Sequence, residues 1–372
     1  MEKIKLNICA IEDPTNPRTW SGTPHHIYSI LKKTDRLNLA FSTKAVQNKY
    51  LAKFFTIISK LYYNNSADVQ RGFIIRALSA KKADSHTAGS GSNLTLHMGT
   101  LDLPFDKLPE KQKHFLFCDY TWQLWSTSAT NRQKYTKRLL SDAEKLEKKA
   151  YQQIEHIFSI SEYVKQNLIE HYKVDPDKIT VVGTGLGIIK PFFGEKDYAN
   201  GKILFAAKGR FEDKGGPLVL KAFEIALKTN PRLELAIVGQ NDYTQKINLP
   251  NVKTYGFIPI DELQDIFNRS SLFLMPATNE PWGLVYLEAL ACKIPIVGLN
   301  RNSFPELSGY GKYGFGLDNA DAEDLAKLIL KAFDEPERLA DMGEKAQEHC
   351  LNNFTWEHTV NKIIQTLENS SK

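Results

Sequence analysis

The sequence is short of several features that would narrow its class. It has four cysteines in 372 residues, Cys9, Cys118, Cys292 and Cys350, and none stand at the close pair spacing of a zinc or redox site. That excludes a disulfide framework and leads us to expect reduced, mostly buried thiols in a cytoplasmic protein. No apolar run approaches the roughly 18 residues that cross a bilayer, and Met1–Leu6 opens a strand pattern where a signal peptide would need an apolar core. No Gly-x-Gly-x-x-Gly follows an early strand with an acidic residue about 20 positions on, which counts against a nicotinamide-dependent oxidoreductase. No nucleic-acid recognition motif accompanies the basic residues, so no nucleic-acid partner is expected.

What is present is ordinary for a globular chain, with 42% hydrophobic and 24% charged residues. The length suits two domains of about 150–200 residues. The net charge of +5 conceals an asymmetry: residues 1–190 carry 28 Lys and Arg against 18 Asp and Glu, and residues 191–372 carry 20 against 25. The basic first half reads as lysine-rich solvated faces or as attraction to an anionic acceptor or a membrane surface.

Short apolar strands alternate with helical patterns throughout. The first half predicts strands at 5–11, 36–42, 94–98, 114–118, 156–161 and 178–183. Residues 50–80 read as partly amphipathic helix, with Phe54, Phe55, Ile58 and Leu61 at core-like spacing, and the small polar run 81–92 reads as a loop. The second half predicts strands at 202–207, 233–239, 252–256, 271–276 and 294–298, with helices at 215–228, 261–269, from Leu284, and near 321–333, 335–352 and 356–369. Such alternation argues for an α/β chain of two Rossmann-like, doubly wound domains, 1–190 and 191–355, with a ligand cleft at the carboxyl ends of the strands. Residues 356–372 are expected to form a terminal helix that crosses back to the first domain.

The most informative stretch is Asn279-Glu280-Pro281-Trp282-Gly283-Leu284-Val285-Tyr286-Leu287-Glu288-Ala289-Leu290-Ala291-Cys292. An apolar strand leads into it and a buried helix leads out, so Glu280 falls in the turn and Glu288 on the first turns of the helix. Free backbone N–H groups around Gly283 and Leu284 suit an anion. Carboxylates for hydroxyls and amides for phosphates fit a sugar nucleotide. A second strand ends in Lys208-Gly209-Arg210-Phe211-Glu212-Asp213-Lys214-Gly215-Gly216-Pro217, where two cations and a glycine-rich turn can grip a diphosphate.

With these two stretches at this separation, the sequence resembles the retaining GT-B glycosyltransferases of glycosyltransferase family 4 (glycosyl transferases group 1). Phe158-Ser159-Ile160-Ser161-Glu162-Tyr163-Val164 and Lys178-Ile179-Thr180-Val181-Val182-Gly183-Thr184-Gly185 are similar to the end of that family's first domain. The resemblance spans nearly the whole chain and is strongest from residue 157 onward. It implies that Arg210 and Lys214, with Gly209, neutralise the donor diphosphate. Glu280 would bind the transferred sugar and Glu288 the ribose hydroxyls. Trp282 and the amides of Gly283, Leu284 and Val285 would support sugar and phosphate, and Gly256, Phe257 and Ile258 the nucleobase. Two departures stand out: Lys293 where the family has glycine, and Asn302–Glu306 in place of a glycine-rich turn.

The resemblance also places Gly22 and Thr23 near the diphosphate; His25 and His26, just after them, read as helix-start residues rather than catalysts. Asp119 directly follows an apolar strand, where cleft residues belong, and is the first domain's candidate catalytic contact to donor sugar or acceptor hydroxyl. Trp122 and Trp125 are candidates to line an acceptor groove or to pack under a loop, and His97 ends another strand as a weaker acceptor contact. Asp175-Pro176-Asp177 has the spacing of a metal–diphosphate device but lies in a helix–strand loop. The implied activity is a metal-independent, retaining hexosyl transfer from a UDP- or GDP-sugar to a glycan, lipid-linked or small-molecule acceptor, with no resident cofactor. It would occur in the cytoplasm or peripherally on its membrane face. A sugar-nucleotide epimerase on the same fold is the alternative, and an oxidoreductase a more distant one.

Overall fold

The structure, a computed structural model, describes residues 4–34, 37–42, 48–106, 111–128, 130–239 and 247–370. The chain forms two compact units. The first runs to Thr184 and includes the chain from Trp356, and the second is Gly185–Thr355.

The first unit contains β1 (Ile4–Ala10), α1 (Thr23–Lys33), β2 (Leu37–Ser42), α2 (Lys49–Tyr63), α3 (Phe73–Ser90), β3 (Leu94–Met98), β4 (Lys113–Cys118), α4 (Trp122–Thr127), α5 (Lys137–Gln153), β5 (His156–Ser159), α6 (Glu162–Glu170) and β6 (Ile179–Val181). The strands form one parallel sheet in the order β2-β1-β3-β4-β5-β6. Their near-continuous apolar sequences follow from burial on both faces: Phe115, Leu116, Phe117 and Cys118 are all buried. Hydroxyl caps start three of the helices, with Thr121, Thr136 and Ser161 each accepting an amide from the first turn.

Three expectations for this unit change. Residues 81–90 are not a loop but the second half of α3, which ends at Gly91 in the left-handed region (φ 65°). The face it buries is small, with Ala80, Ala83 and Thr87, and Thr87 bonds to Asn7 and Thr95 at 3.0 and 2.9 Å. A face made of alanine and threonine carries no hydrophobic signal. The helical stretch 50–80 is interrupted by left-handed residues Asn64 and Asp68 (φ 47° and 50°). Phe54 and Leu61, at core-like spacing in the sequence, are exposed, and Ser59 and Tyr63 are the buried residues of α2.

The second unit contains β7 (Lys202–Ala206), α7 (Gly216–Thr229), β8 (Glu234–Val238), β9 (Val252–Tyr255), α8 (Ile260–Arg269), β10 (Leu272–Leu274), α9 (Leu284–Ala291), β11 (Ile296–Leu299), α10 (Phe304–Leu307), β12 (Gly314–Leu317), α11 (Ala322–Asp334) and α12 (Pro336–Asn353). Its parallel sheet has the order β12-β11-β10-β7-β8-β9. From β7 the chain steps outward through β8 and β9, then returns to the other side of β7 with β10. That reversal opens a crevice at the carboxyl ends of β7 and β10. Strand β12, rich in glycine, gave no signal in the sequence.

The two departures from the family pattern keep the backbone that glycine would supply. Lys293 (φ 59°) and Asn302 (φ 54°) are both left-handed. Lys293 stands just past α9, where its N–H reaches Leu290 O and the next N–H reaches Ala289 O, each at 2.9 Å. These are the paired bonds of a glycine-type helix stop, made by a lysine. The chain closes with α13 (Trp356–Ser370), which belongs to the first unit. Thr359 and Lys362 donate to Val182 O and Val181 O at 3.2 and 3.0 Å, and the Trp356 ring stacks on His26 at 4.8 Å.

Candidate functional site

In the second unit, both sequence stretches singled out above lie at the crevice between β7 and β10. The loop after β7 carries Gly209, Arg210 and Lys214, and the loop after β10 carries Glu280 and Gly283. Backbone contacts hold the loops together. Thr278 N donates to Asp213 O at 3.0 Å, and a Cβ on Gly215 (φ 85°) would lie 2.4 Å from Pro276 O, so only glycine allows this approach. Across the seam the Lys214 ammonium pairs with Glu280 Oε2. Arg210, itself left-handed (φ 57°), donates to Asp213 Oδ2 at 3.0 Å and lies 3.5 Å from Asn279 O, with its side chain still substantially exposed.

Burial, then the neighbouring Arg210 guanidinium, pull the Lys214 ammonium down to about 8. The Asp213 carboxylate works against both, and Lys214 stays largely cationic near neutral pH. Two cations and one carboxylate thus face a crevice that also receives the amide end of α9. That helix has left-handed Gly283 (φ 90°) at its start and no side-chain cap, so Leu284 and Val285 begin it with unclaimed donors.

Glu288 is 8% exposed. Its Oε1 accepts the amides of Ile188 and Ile189 at 2.7 and 3.1 Å. Burial raises its carboxyl pKa and those two amides oppose the rise. Gly187 makes room for the carboxylate, since a Cβ there would lie 2.3 Å from Oε1. Among the described residues Oε2 takes no hydrogen bond, so this oxygen keeps its capacity to accept. Gly256, Phe257 and Ile258 follow edge strand β9. Gly256 borders open space, and the Phe257 ring is 65% exposed. Trp282 turns inward instead and packs edge-on against Phe354, centroids 5.8 Å apart, so only its backbone faces the loop.

In the first unit, Asp119 sits just past β4. Burial lifts its carboxyl to about 6, against the opposing Arg71 guanidinium, local amides and a hydrogen bond from Trp20. Trp20, Ser21 and Gly22 are three successive left-handed residues (φ 48°, 55° and 88°), and two of them are not glycine. Such backbone costs about 1–3 kcal/mol per residue and persists where surrounding contacts enforce it. Here it brings the Trp20 ring over Phe117 and its N–H to Asp119. Thr23 is buried at the start of α1, where Gly22 closes against His26 and Pro17 O, each 3.3 Å from its virtual Cβ. Both His25 and His26 lie on the first turn of α1.

The remaining first-half candidates point into the protein. Trp122 is buried against Tyr135 and under the Arg71 guanidinium, with its indole N–H 3.3 Å from Leu140 O. Trp125 bonds Tyr135 and Asp68 at 2.9 and 3.2 Å. The Trp122 ring is thus taken up by packing, and the half-buried Trp125 ring is anchored at its indole N–H. His97, expected at the cleft, is fully buried between Asp102 and His114, at 3.0 and 2.8 Å. Cys9, His97 and Asp102 are near enough to one another to hold a cation, but both His97 nitrogens are already engaged by Asp102 and His114. All four cysteines are buried thiols.

Sequence reading missed a buried polar cluster. Glu147, 1% exposed, accepts from Trp122 N and Tyr172 Oη at 2.8 and 2.9 Å and lies 3.6 Å from Arg71. Arg76 is as deeply buried, and its Nε and one terminal nitrogen have no hydrogen-bond partner among the described residues. The only signal in the sequence was two arginines five apart beside an apolar stretch.

Comparison with known proteins agrees with this geometry. Residues 190–349 match the family model "Glycosyl transferases group 1", and residues 115–187 match "Glycosyltransferase Family 4". The chain is a GT-B, glycosyltransferase family 4-like protein. It is 27% identical over 222 residues to a D-inositol 3-phosphate glycosyltransferase of Rhodococcus opacus, covering 54% of this chain and 50% of that one. The chain thus spans about half the length of the curated relatives it matches. Among solved structures, a sucrose-phosphate synthase from Thermosynechococcus elongatus superposes with a TM-score of 0.72 at 15% identity, covering 99% of each chain. HepE from Anabaena, solved with UDP and glucose, gives 0.65 at 16% identity, covering 98% of this chain and all of that one. These likenesses establish the fold.

Proposed function

We propose that the protein transfers a sugar from a nucleoside-diphosphate donor to a hydroxyl acceptor. The observation that carries this reading is the meeting of Arg210, Lys214 and Glu280 with the open amide end of α9 at one crevice. Departure of a nucleoside diphosphate builds negative charge, and preorganised cations and amides stabilise it without reorganisation. Arg210 and Lys214 hold the diphosphate, and Glu280, fixed by Lys214, orients the transferred sugar. Glu288 Oε2 takes a ribose hydroxyl, and the exposed segment Gly256–Ile258 borders the base. The two cations supply the charge a metal would otherwise bring, and the reaction is metal-independent in this reading. Transfer proceeds with retention, a diphosphate oxygen helping to deprotonate the acceptor hydroxyl on the same face. Asp119, half ionised near pH 6, contacts the sugar or the acceptor.

The test is a panel of UDP-, GDP-, ADP- and TDP-sugars, read by nucleoside diphosphate release and by thermal stabilisation, with and without chelator. Stabilisation by one nucleotide class, and release that needs acceptor and survives chelation, is expected. Release of an epimerised free sugar without acceptor would establish the epimerase instead. Stabilisation by NAD(P) alone would overturn both readings.

A further inference from the structure

Helix α2 is built inside out. It meets the rest of its unit through Ser59 and Tyr63, the residues it buries, while its large apolar side chains face solvent. On a 3.6-residue wheel Ile57, Tyr50, Leu61, Phe54, Leu51 and Tyr62 form one continuous arc. All six are exposed, Leu61 at 76% and Phe54 at 55%. Lys49, Lys60 and Lys53 occupy the adjoining strip of the wheel, and the helix holds no acidic residue. Phe73, at the start of α3, extends the apolar surface.

Beyond Tyr62 the surface turns from apolar to basic. Tyr62 and Phe73 form one wall of a groove of about 390 Å³, and Lys145, Lys148 and Lys149 of α5 form the other. All three lysines are exposed. Of the acids nearby, Asp142 lines the groove and accepts from the Tyr63 hydroxyl at 3.2 Å, and Glu144 lies 2.8 Å from His171, so lysines outnumber carboxylates in the groove three to one. The Arg138 guanidinium lies 3.5 Å from the Tyr62 ring centroid and adds a further cation beside the apolar arc.

We infer that α2 and the lysine face of α5 form a docking surface for an anionic lipid membrane. An exposed apolar arc flanked by lysines that outnumber the one carboxylate of the groove, with no carboxylate on α2 itself, matches an interface of acyl chains below and phosphate headgroups above. A protein partner of ordinary composition would not explain cations on both flanks. The surface lies on the unit that carries the excess of basic residues. The inference stands apart from the transfer reaction and does not depend on it.

The full chain is mixed with phosphatidylglycerol–phosphatidylcholine vesicles and with pure phosphatidylcholine vesicles, and vesicle-bound protein is measured by flotation without any nucleotide. Binding to the anionic vesicles that weakens with salt is expected, with little binding to the neutral ones. Phe54→Ser with Leu61→Ser should weaken it at least about tenfold, since both side chains lose their apolar burial. Lys145→Gln, Lys148→Gln and Lys149→Gln together should weaken it on the order of a hundredfold. All five positions are exposed, so circular dichroism and thermal melting should match the parent. No binding to anionic vesicles, or equal binding by both variants, overturns the inference. So does concentration-dependent self-association that Phe54→Ser with Leu61→Ser abolishes while vesicles bind nothing, which would make a second copy the occupant.

Discussion

In the second unit the ionisable groups stand in loops past the ends of β7 and β10, where Lys214 and Glu280 pair across the seam and Arg210 remains exposed. In the first unit the comparable groups lie beneath the surface: Glu147 and Arg76 are almost wholly buried, and His97 is sealed between Asp102 and His114. Both units have a six-stranded parallel sheet, so the sheet does not dictate where charge goes. Charge in loops at a switch point can be removed without unfolding, and there it is free to serve a ligand. Charge inside the fold has to be satisfied by the fold first. The second unit therefore reads as a site, and the first as a polar core with Asp119 at its edge.

Breaking the first unit's cluster should have the largest effect. Glu147→Ala leaves Arg71 and Arg76 without their buried counter-ion and should cost about 3–5 kcal/mol of stability, read as a lower urea midpoint. The contrasting change, Lys214→Ala, should cost less, about 1–3 kcal/mol for the Glu280 oxygen left without its ammonium, and lower donor turnover by about 10²–10³-fold. Near-normal turnover in that variant, and in Arg210→Ala, would remove the diphosphate assignment and with it the contrast between the units.

A third test sharpens the picture of the first unit. Burial and the neighbouring His97 hold His114 down at about 3, whereas an unfolded histidine takes its proton near 6.5. Between those values the unfolded chain binds more protons, so stability falls as pH falls. From this group alone the loss should be about 2 kcal/mol by about pH 5. Urea titrations at neutral and mildly acid pH should show that His114→Gln loses less on acidification than the parent. The smallest effect belongs to the second unit: Lys293→Gly relieves a left-handed lysine and should raise stability by up to about 1 kcal/mol, less what the largely buried lysine stem and its pair with Glu344 contribute.

The same division governs what could be read from the sequence. The alternation of strands and helices gave the fold, because parallel strands buried on both faces are apolar nearly throughout. The loops after β7 and β10 were legible because local chemistry fills them: glycine where φ is positive, cations and carboxylates within a few residues. The first unit's cluster draws on Arg71, Arg76, Asp102, Asp119 and Glu147, and no local window contains it. Residues 81–90 were hidden because alanine and threonine pack a helix as well as leucine does. The outward face of α2 was misread because spacing shows that a helix has an apolar side and not which way that side points.

Glu288 carries a consequence for selectivity. Its Oε1 fastens Ile188 and Ile189, so a ligand that asked for both oxygens would strip two amides of their acceptor, at about 1–3 kcal/mol each. A ligand content with Oε2 leaves the fastening intact. In the proposed donor role the carboxylate therefore meets the ribose through Oε2 alone. Such a contact is tied to the strip of chain with which the second unit begins, because the same side chain holds both.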